Sequence, residues 1–286
     1  MQEAVENYAR CRAGEYVWML GRFICPASRL EEFSRLAAPL MPGTFATSGY
    51  REHVRIGEPW GVSVVADEPI TDCLDQIEAF NARHSGEDAG LAVADAIEIK
   101  LADPRDVQRL TNQIPDSIQP FLEVPSGADP RGFIAAMSGQ QVAAKIRTGG
   151  VTPEAFPPPT AVAGFIHACA AADVPFKATA GLHHPLRSEH SLTYEPNAPR
   201  GVMHGFLNVF LAAAFARAER MKLADTIELL NEQNADAFRF GDAHIAWKGH
   251  ILEDAKIQRV RETFSLSFGS CSFDEPVEDM AGLGLL

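Results

Sequence analysis

A repeated pattern constrains this chain most. Six short β-rich runs, predicted at residues 16–24, 61–66, 96–101, 121–125, 142–147 and 174–180, are each followed by a stretch with helical apolar spacing. After the first, Ser28 and Glu31 have the spacing of a capping box. After the second, Ile70, Cys73, Leu74 and Ile77 fall at i, i+3, i+4 and i+7, the stripe of a helix packed on a sheet. Asp103-Pro104 and Asp129-Pro130 each place a capping carboxylate before a first-turn proline. Val107, Leu110 and Ile114 then face inward, as do Val162, Phe165, Ile166 and Cys169 after the fifth run. Strands this apolar are covered on both faces, which means a parallel sheet. Right-handed crossovers wind such a sheet into a barrel or an open doubly wound layer. No glycine phosphate fingerprint follows the first strand, which favours the barrel. The expected fold is α/β: a single (β/α)8 TIM-type barrel domain over residues 1–286, irregular or incomplete in its last third.

That last third breaks the rhythm. The polar segment 183–201 is long enough to be a lid over the strand ends. Helices are predicted around 203–220 and 224–232. Residues 238–247, with Gly241-Asp242 between two alternating arms, are either the seventh barrel strand or an appended hairpin. A helix over 252–262 leads into 264–268, a candidate eighth strand. Gly269-Ser270-Cys271-Ser272 ends that strand, and Asp274 with Pro276 starts a short closing helix.

Composition narrows the partners. The chain has 25 basic and 38 acidic side chains, a formal net charge of −13, which argues against nucleic acid and anionic membranes. The opening MQEAVENYAR carries acids and no apolar run, unlike a secretory signal. The most apolar stretch, 206–216, is interrupted by Asn208 and too short to span a bilayer. A reducing cytoplasm is the expected location, and the five scattered cysteines read as small core residues. The stripe Phe206, Leu207, Phe210, Leu211 and Ala214 belongs to a helix that faces a second subunit in a homodimer or is simply buried.

The candidate chemistry lies at the carboxyl ends of the predicted strands, where barrels of this type carry their reacting groups. Side chains alternate along a strand, so Lys145 shares a face with Arg147, and Lys177 with Thr179. A lysine inside a parallel strand is unusual, because burying an ammonium costs several kcal/mol unless it is paired. Here two neighbouring strands carry one each. Either they are reactive, or they pair with Glu98 or Glu123 or point out toward a helix. Repulsion and burial favour a neutral amine, which can attack a carbonyl and form a Schiff base.

The run Lys177-Ala178-Thr179-Ala180-Gly181-Leu182 resembles the Schiff-base strand of deoxyribose-phosphate aldolase, a lysine on the sixth barrel strand followed by small hydroxylated residues, glycine and an apolar residue. It departs at Ala180, where that family has threonine. The companion Lys145 also lies on the preceding strand, whereas that family's second lysine lies on the following one. The chain as a whole resembles a bacterial barrel-like family in its runs GRFICPASRL, KIRTGG, KATAGLHHP and FGSCSFDEP, and no activity comes with that likeness.

Four of the nine histidines, His183, His184, His190 and His204, fall between residues 183 and 204. With Glu123 they would suit a divalent metal, or on their own acid–base work. His167 reads as a surface residue. Arg147-Thr148-Gly149-Gly150 offers a guanidinium and backbone amides to an anion, and Ser270 in its loop before the closing helix does the same. Cys271 has no partner base readable from the sequence.

The expectation is an aldolase- or lyase-like enzyme acting on a small carbonyl compound that bears a carboxylate or phosphate. Lys177 is the nucleophile, Lys145 tunes it or holds an oxyanion, and Glu123 or His183 moves protons. Arg147, Thr179, His184, Gly149 and Ser270 hold the substrate. No cofactor is called for. The alternatives are a metal-assisted enzyme using His183, His184 and Glu123, and a non-catalytic binding protein on a degenerate barrel.

Overall fold

A computed structural model describes residues 1–43, 57–86 and 89–286. Its main sheet contains seven strands: β1 (Phe23–Pro26), β2 (Trp60–Val65), β3 (Ala92–Lys100), β4 (Gln119–Glu123), β5 (Ala143–Arg147), β6 (Phe176–Thr179) and, late in the chain, a strand over Ser265–Gly269. They hydrogen-bond in that order, and the pairs β1–β2, β2–β3, β5–β6 and β6 with Ser265–Gly269 are parallel. The α/β class stands. The eight-stranded closed barrel does not: the order is linear, and no pair closes it among the described residues.

The chain forms two compact units, Met1–Lys100 with Arg109–Phe121, and Leu101–Gln108 with Leu122–Leu286. The first unit opens with α1 (Gln2–Arg12), a helix not anticipated from the sequence, which buries Val5, Tyr8 and Cys11. The run predicted as a strand at 16–24 is instead a 3-10 turn at Val17–Met19, and β1 starts only at Phe23. Tyr8 packs edge-on against Phe23 and Trp60, and Phe23 stacks on Phe33 at 4.6 Å. These rings join α1, β1, β2 and α2 (Leu30–Ala37) into one apolar layer. Ser28 does not cap α2. It bonds Asp67 instead, through both its amide and its hydroxyl, so tertiary pairing displaces the predicted capping box. In α3 (Ile70–Arg83) the predicted stripe buries Cys73 and Ile77.

Asp129 caps α5 (Pro130–Met137) as read, accepting from the Arg131 amide, whereas Asp103 accepts from the Arg105 amide in a turn and α4 (Asp106–Thr111) starts two residues after Pro104. In the second unit α6 (Pro159–Ala172) buries all four predicted apolar positions. Residues 180–264 then explain why no eighth strand forms. They build a hairpin of β7 (Ser188–Ser191) and β8 (Arg200–Met203), the helices α7 (Phe206–Glu219) and α8 (Leu223–Leu230), and an antiparallel sheet of β9 (Phe238–Phe240), β10 (His244–Trp247) and β11 (His250–Glu253). Residues 238–247 are therefore an appended hairpin, extended by a third strand. After α9 (Asp254–Thr263) the chain returns to the main sheet as β12 (Ser265–Gly269) beside β6, and α10 (Asp274–Gly282) closes it.

α7 is buried nearly all round, within its own unit. Asn208, wholly buried in its first turn, donates to the Leu229 and Glu232 carbonyls and accepts from the Arg187 amide. The apolar girth that suggested a homodimer face is thus used inside the fold. Among the described residues no helix is long and apolar enough to cross a membrane.

Candidate active site

The register of the second unit sets two rows of side chains at one edge of its strands. Lys145 on β5 is the partner of Lys177 on β6, which is the partner of Ser267 on β12. One step on, Arg147, Thr179 and Gly269 are matched in the same way. In-register residues of parallel strands share a face, so the lysines expected on two neighbouring strands lie side by side. Both are buried, Lys145 at 6% and Lys177 at 4% exposure. Lys145 Nζ lies 2.6 Å from Glu123 Oε2, an ion pair out of hydrogen-bond alignment that leaves Oε2 without a hydrogen bond. The Thr179 hydroxyl, also buried, has no hydrogen-bond partner. The Lys145 ammonium compensates Glu123, but an unsatisfied buried hydroxyl costs about 1–3 kcal/mol, so Thr179 needs an explanation.

The loops beyond these strands are tightly joined. The Thr148 hydroxyl donates to the Ala180 carbonyl at 2.7 Å, and its amide to the Thr179 carbonyl at 2.8 Å. A Cβ on Gly149 would fall 2.5 Å from the Phe156 ring and 2.9 Å from Gly181 Cα, so both glycines are required by close approach. Ala180 sits at φ 64°, a left-handed conformation that costs a non-glycine residue about 1 kcal/mol or more. The Ala180 position is therefore a strained corner between Thr179 and the histidines.

Those histidines meet α10. His183 Nδ1 lies 2.9 Å from Glu275 Oε2 and 3.2 Å from Ser270 Oγ, while its Nε2 is 3.6 Å from the Cys271 sulfur. Tyr194 donates to the same Glu275 oxygen at 3.0 Å. His184 Nδ1 lies 2.6 Å from Asp279 Oδ2, and its ring stacks on His190 at 3.4 Å. His190 in turn bonds the Ser188 hydroxyl. Burial works against protonating His183, but the Cys271 sulfur and the Glu275 carboxylate outweigh it, and its pKa is raised. The His183 hydrogen bond lowers the Cys271 pKa by more than burial raises it. Burial and then the Glu275 contact raise the Tyr194 phenol, which stays a donor.

No known family, curated protein or solved structure matches this chain. The likeness to deoxyribose-phosphate aldolase accordingly rests on residues 177–182 alone.

Of the residues singled out from sequence, Lys145, Lys177 and Glu123 form one buried group with Thr179, and Arg147 stands exposed beside them. His183 and Ser270 come together in another, and His184 lies next to it. Gly149 is held by packing. His204 is wholly buried, donating from Nε2 to the Pro157 carbonyl at 2.7 Å, and burial pushes its pKa down to about 4. His167 is half-buried and bonded to Thr226, not a free surface residue. Among the described residues no three His, Cys, Asp or Glu side chains converge as a metal ion requires. Sequence reasoning missed Glu275, Asp279 and Tyr194. A usable signal existed: Glu275 and Asp279 are four apart at the start of a short helix, one face offered to two consecutive histidines.

Proposed function

We propose that the second unit is an enzyme of covalent carbonyl chemistry, aldolase- or lyase-like, with Lys177 as its amine nucleophile. The observation that carries this reading is the in-register burial of Lys145 and Lys177 on adjacent strands. Burial disfavours a charged amine, and a second lysine alongside opposes that charge further, which suits attack on a carbonyl. The Lys177 amine adds to the substrate carbonyl, water leaves, and the resulting iminium withdraws electrons from the neighbouring carbon–carbon bond. His183, oriented by Glu275, is the proton carrier of this edge. The Thr179 hydroxyl and the Arg147 guanidinium, in register with each other, suit a substrate carboxylate or phosphate. The hydroxyl's missing partner supports that role, since a ligand oxygen would supply one.

Borohydride reduction in the presence of glycolaldehyde or pyruvate tests this reading on the whole chain. The expected result is a reduced adduct mapped to Lys177, and none in the Lys177→Met variant. Adducts on exposed lysines with Lys177 unmodified would sink it.

A further inference from the structure

We propose that Cys271, His183 and Glu275 form a second nucleophilic centre, which accepts an acyl group from an activated ester or thioester. This centre shares His183, Glu275 and Thr179 with the Lys177 reading, but its nucleophile is a different side chain and it holds whether or not Lys177 forms a Schiff base. Three side chains meet here, an exposed thiol and two half-buried partners. Cys271 is exposed at the end of the loop leaving β12, His183 follows the strained corner beyond β6, and Glu275 sits in the first turn of α10. The Cys271 sulfur lies beside the imidazole, 3.6 Å from Nε2 and 3.8 Å from Nδ1, while Glu275 engages Nδ1 at 2.9 Å and leaves Nε2 as the nitrogen nearer the thiol. A nucleophile, a base within reach of it, and a carboxylate that fixes the base's orientation are the three parts acyl transfer through sulfur requires. Register adds a binding element. Gly269, two residues before Cys271, is paired with Thr179, whose buried hydroxyl lacks a partner. The other four cysteines are buried, so this thiol alone among the five is open to a reagent.

The step balances within the cluster. Nε2 of His183 takes the thiol proton, and the sulfur lone pair forms a C–S bond to the acyl carbon. The tetrahedral adduct collapses, the bond to the leaving alkoxide or thiolate breaks, and the imidazolium returns the proton to that group. Water, giving a proton to the same nitrogen, then attacks the thioester carbon. The acid leaves and the sulfur recovers its proton. The Tyr194 hydroxyl, which contacts both Glu275 and the thiol, is placed to donate to the developing oxyanion. Glu275 is a positioning residue, acting through His183.

The test uses the whole chain and two probes, iodoacetamide and 4-nitrophenyl acetate. At about pH 6, well below the ordinary thiol value of about 8.5, iodoacetamide is expected to label Cys271 while the same chain in urea stays nearly unlabelled. His183→Ala should slow that labelling about 10²-fold and move its pH midpoint up to the ordinary thiol range. With 4-nitrophenyl acetate the expected result is a burst of nitrophenolate with an acetyl group on Cys271, absent in Cys271→Ser. Glu275→Gln should lower the His183 titration midpoint and slow the burst, a pair of changes that a merely structural carboxylate would not produce. Should His183→Ala fail to fold, the Cys271→Ser and urea comparisons decide alone. Labelling of Cys271 no faster than in urea would overturn the proposal, and so would acetylation confined to lysines.

Discussion

His84 and His183 show how the same side chain is put to two uses in the two units. His84 is buried, with Nε2 bonded to the Ser34 hydroxyl at 2.8 Å and Nδ1 to the Gly90 carbonyl at 2.9 Å. Neither partner is ionisable, and burial lowers the His84 pKa. His183 also has both nitrogens engaged, but by a carboxylate and a thiol, and its pKa is raised. Being satisfied is common to both. What separates a histidine that holds a fold together from one that can move a proton is whether its partners can themselves gain or lose charge.

Several substitutions would break or sharpen that contrast. The largest effect should come from a closed pair inside the second unit. Lys145→Met leaves the buried Glu123 carboxylate facing an apolar chain and should cost about 3–5 kcal/mol in urea unfolding. Next is His204, neutral when folded down to about pH 4. The unfolded chain takes up that proton from about pH 6.5 downward, so folding binds fewer protons across the interval. Stability is therefore intact above about pH 6.5 and lost toward pH 4, by about 3 kcal/mol in total. His204→Gln should flatten that slope in a pH series of unfolding curves. His84→Ala should cost about 2–3 kcal/mol, since it empties a buried ring site and removes a partner of the Ser34 hydroxyl and the Gly90 carbonyl, and should leave iodoacetamide labelling of Cys271 unchanged. His183→Ala should reverse the pattern, with less than about 1 kcal/mol lost, because its partners are exposed enough to be hydrated, and with the labelling largely abolished. A variant at His84 that slowed the labelling as much as His183→Ala would erase the distinction.

The parts of this molecule legible in its sequence are those decided locally. Asp129 caps where a proline follows it, and the α6 stripe buries the positions its spacing marks. The order of the runs made the strands of Lys145 and Lys177 neighbours, and the register of β5 and β6 sets the two lysines side by side. Failures occurred where a distant partner decided the outcome. Ser28 prefers Asp67, 39 residues away, to the helix it precedes. Residues 238–247 read equally as a barrel strand or a hairpin, and the pairing with His250–Glu253 decides for the hairpin. Cys271 lacked a base for the same reason, since its partner lies 88 residues earlier and only the neighbouring β6 and β12 bring the two together.

The most direct measurement is hydrogen–deuterium exchange at histidine C2, read peptide by peptide across pH, which titrates His84 and His183 in one sample. The expected result is a midpoint for His183 above the ordinary value of about 6.5 and one for His84 below it. Replacing Cys271 by serine should bring His183 down and leave His84 where it was. Equal midpoints, or His183 titrating below His84, would contradict the reading of the strand edge as a charged, reactive cluster.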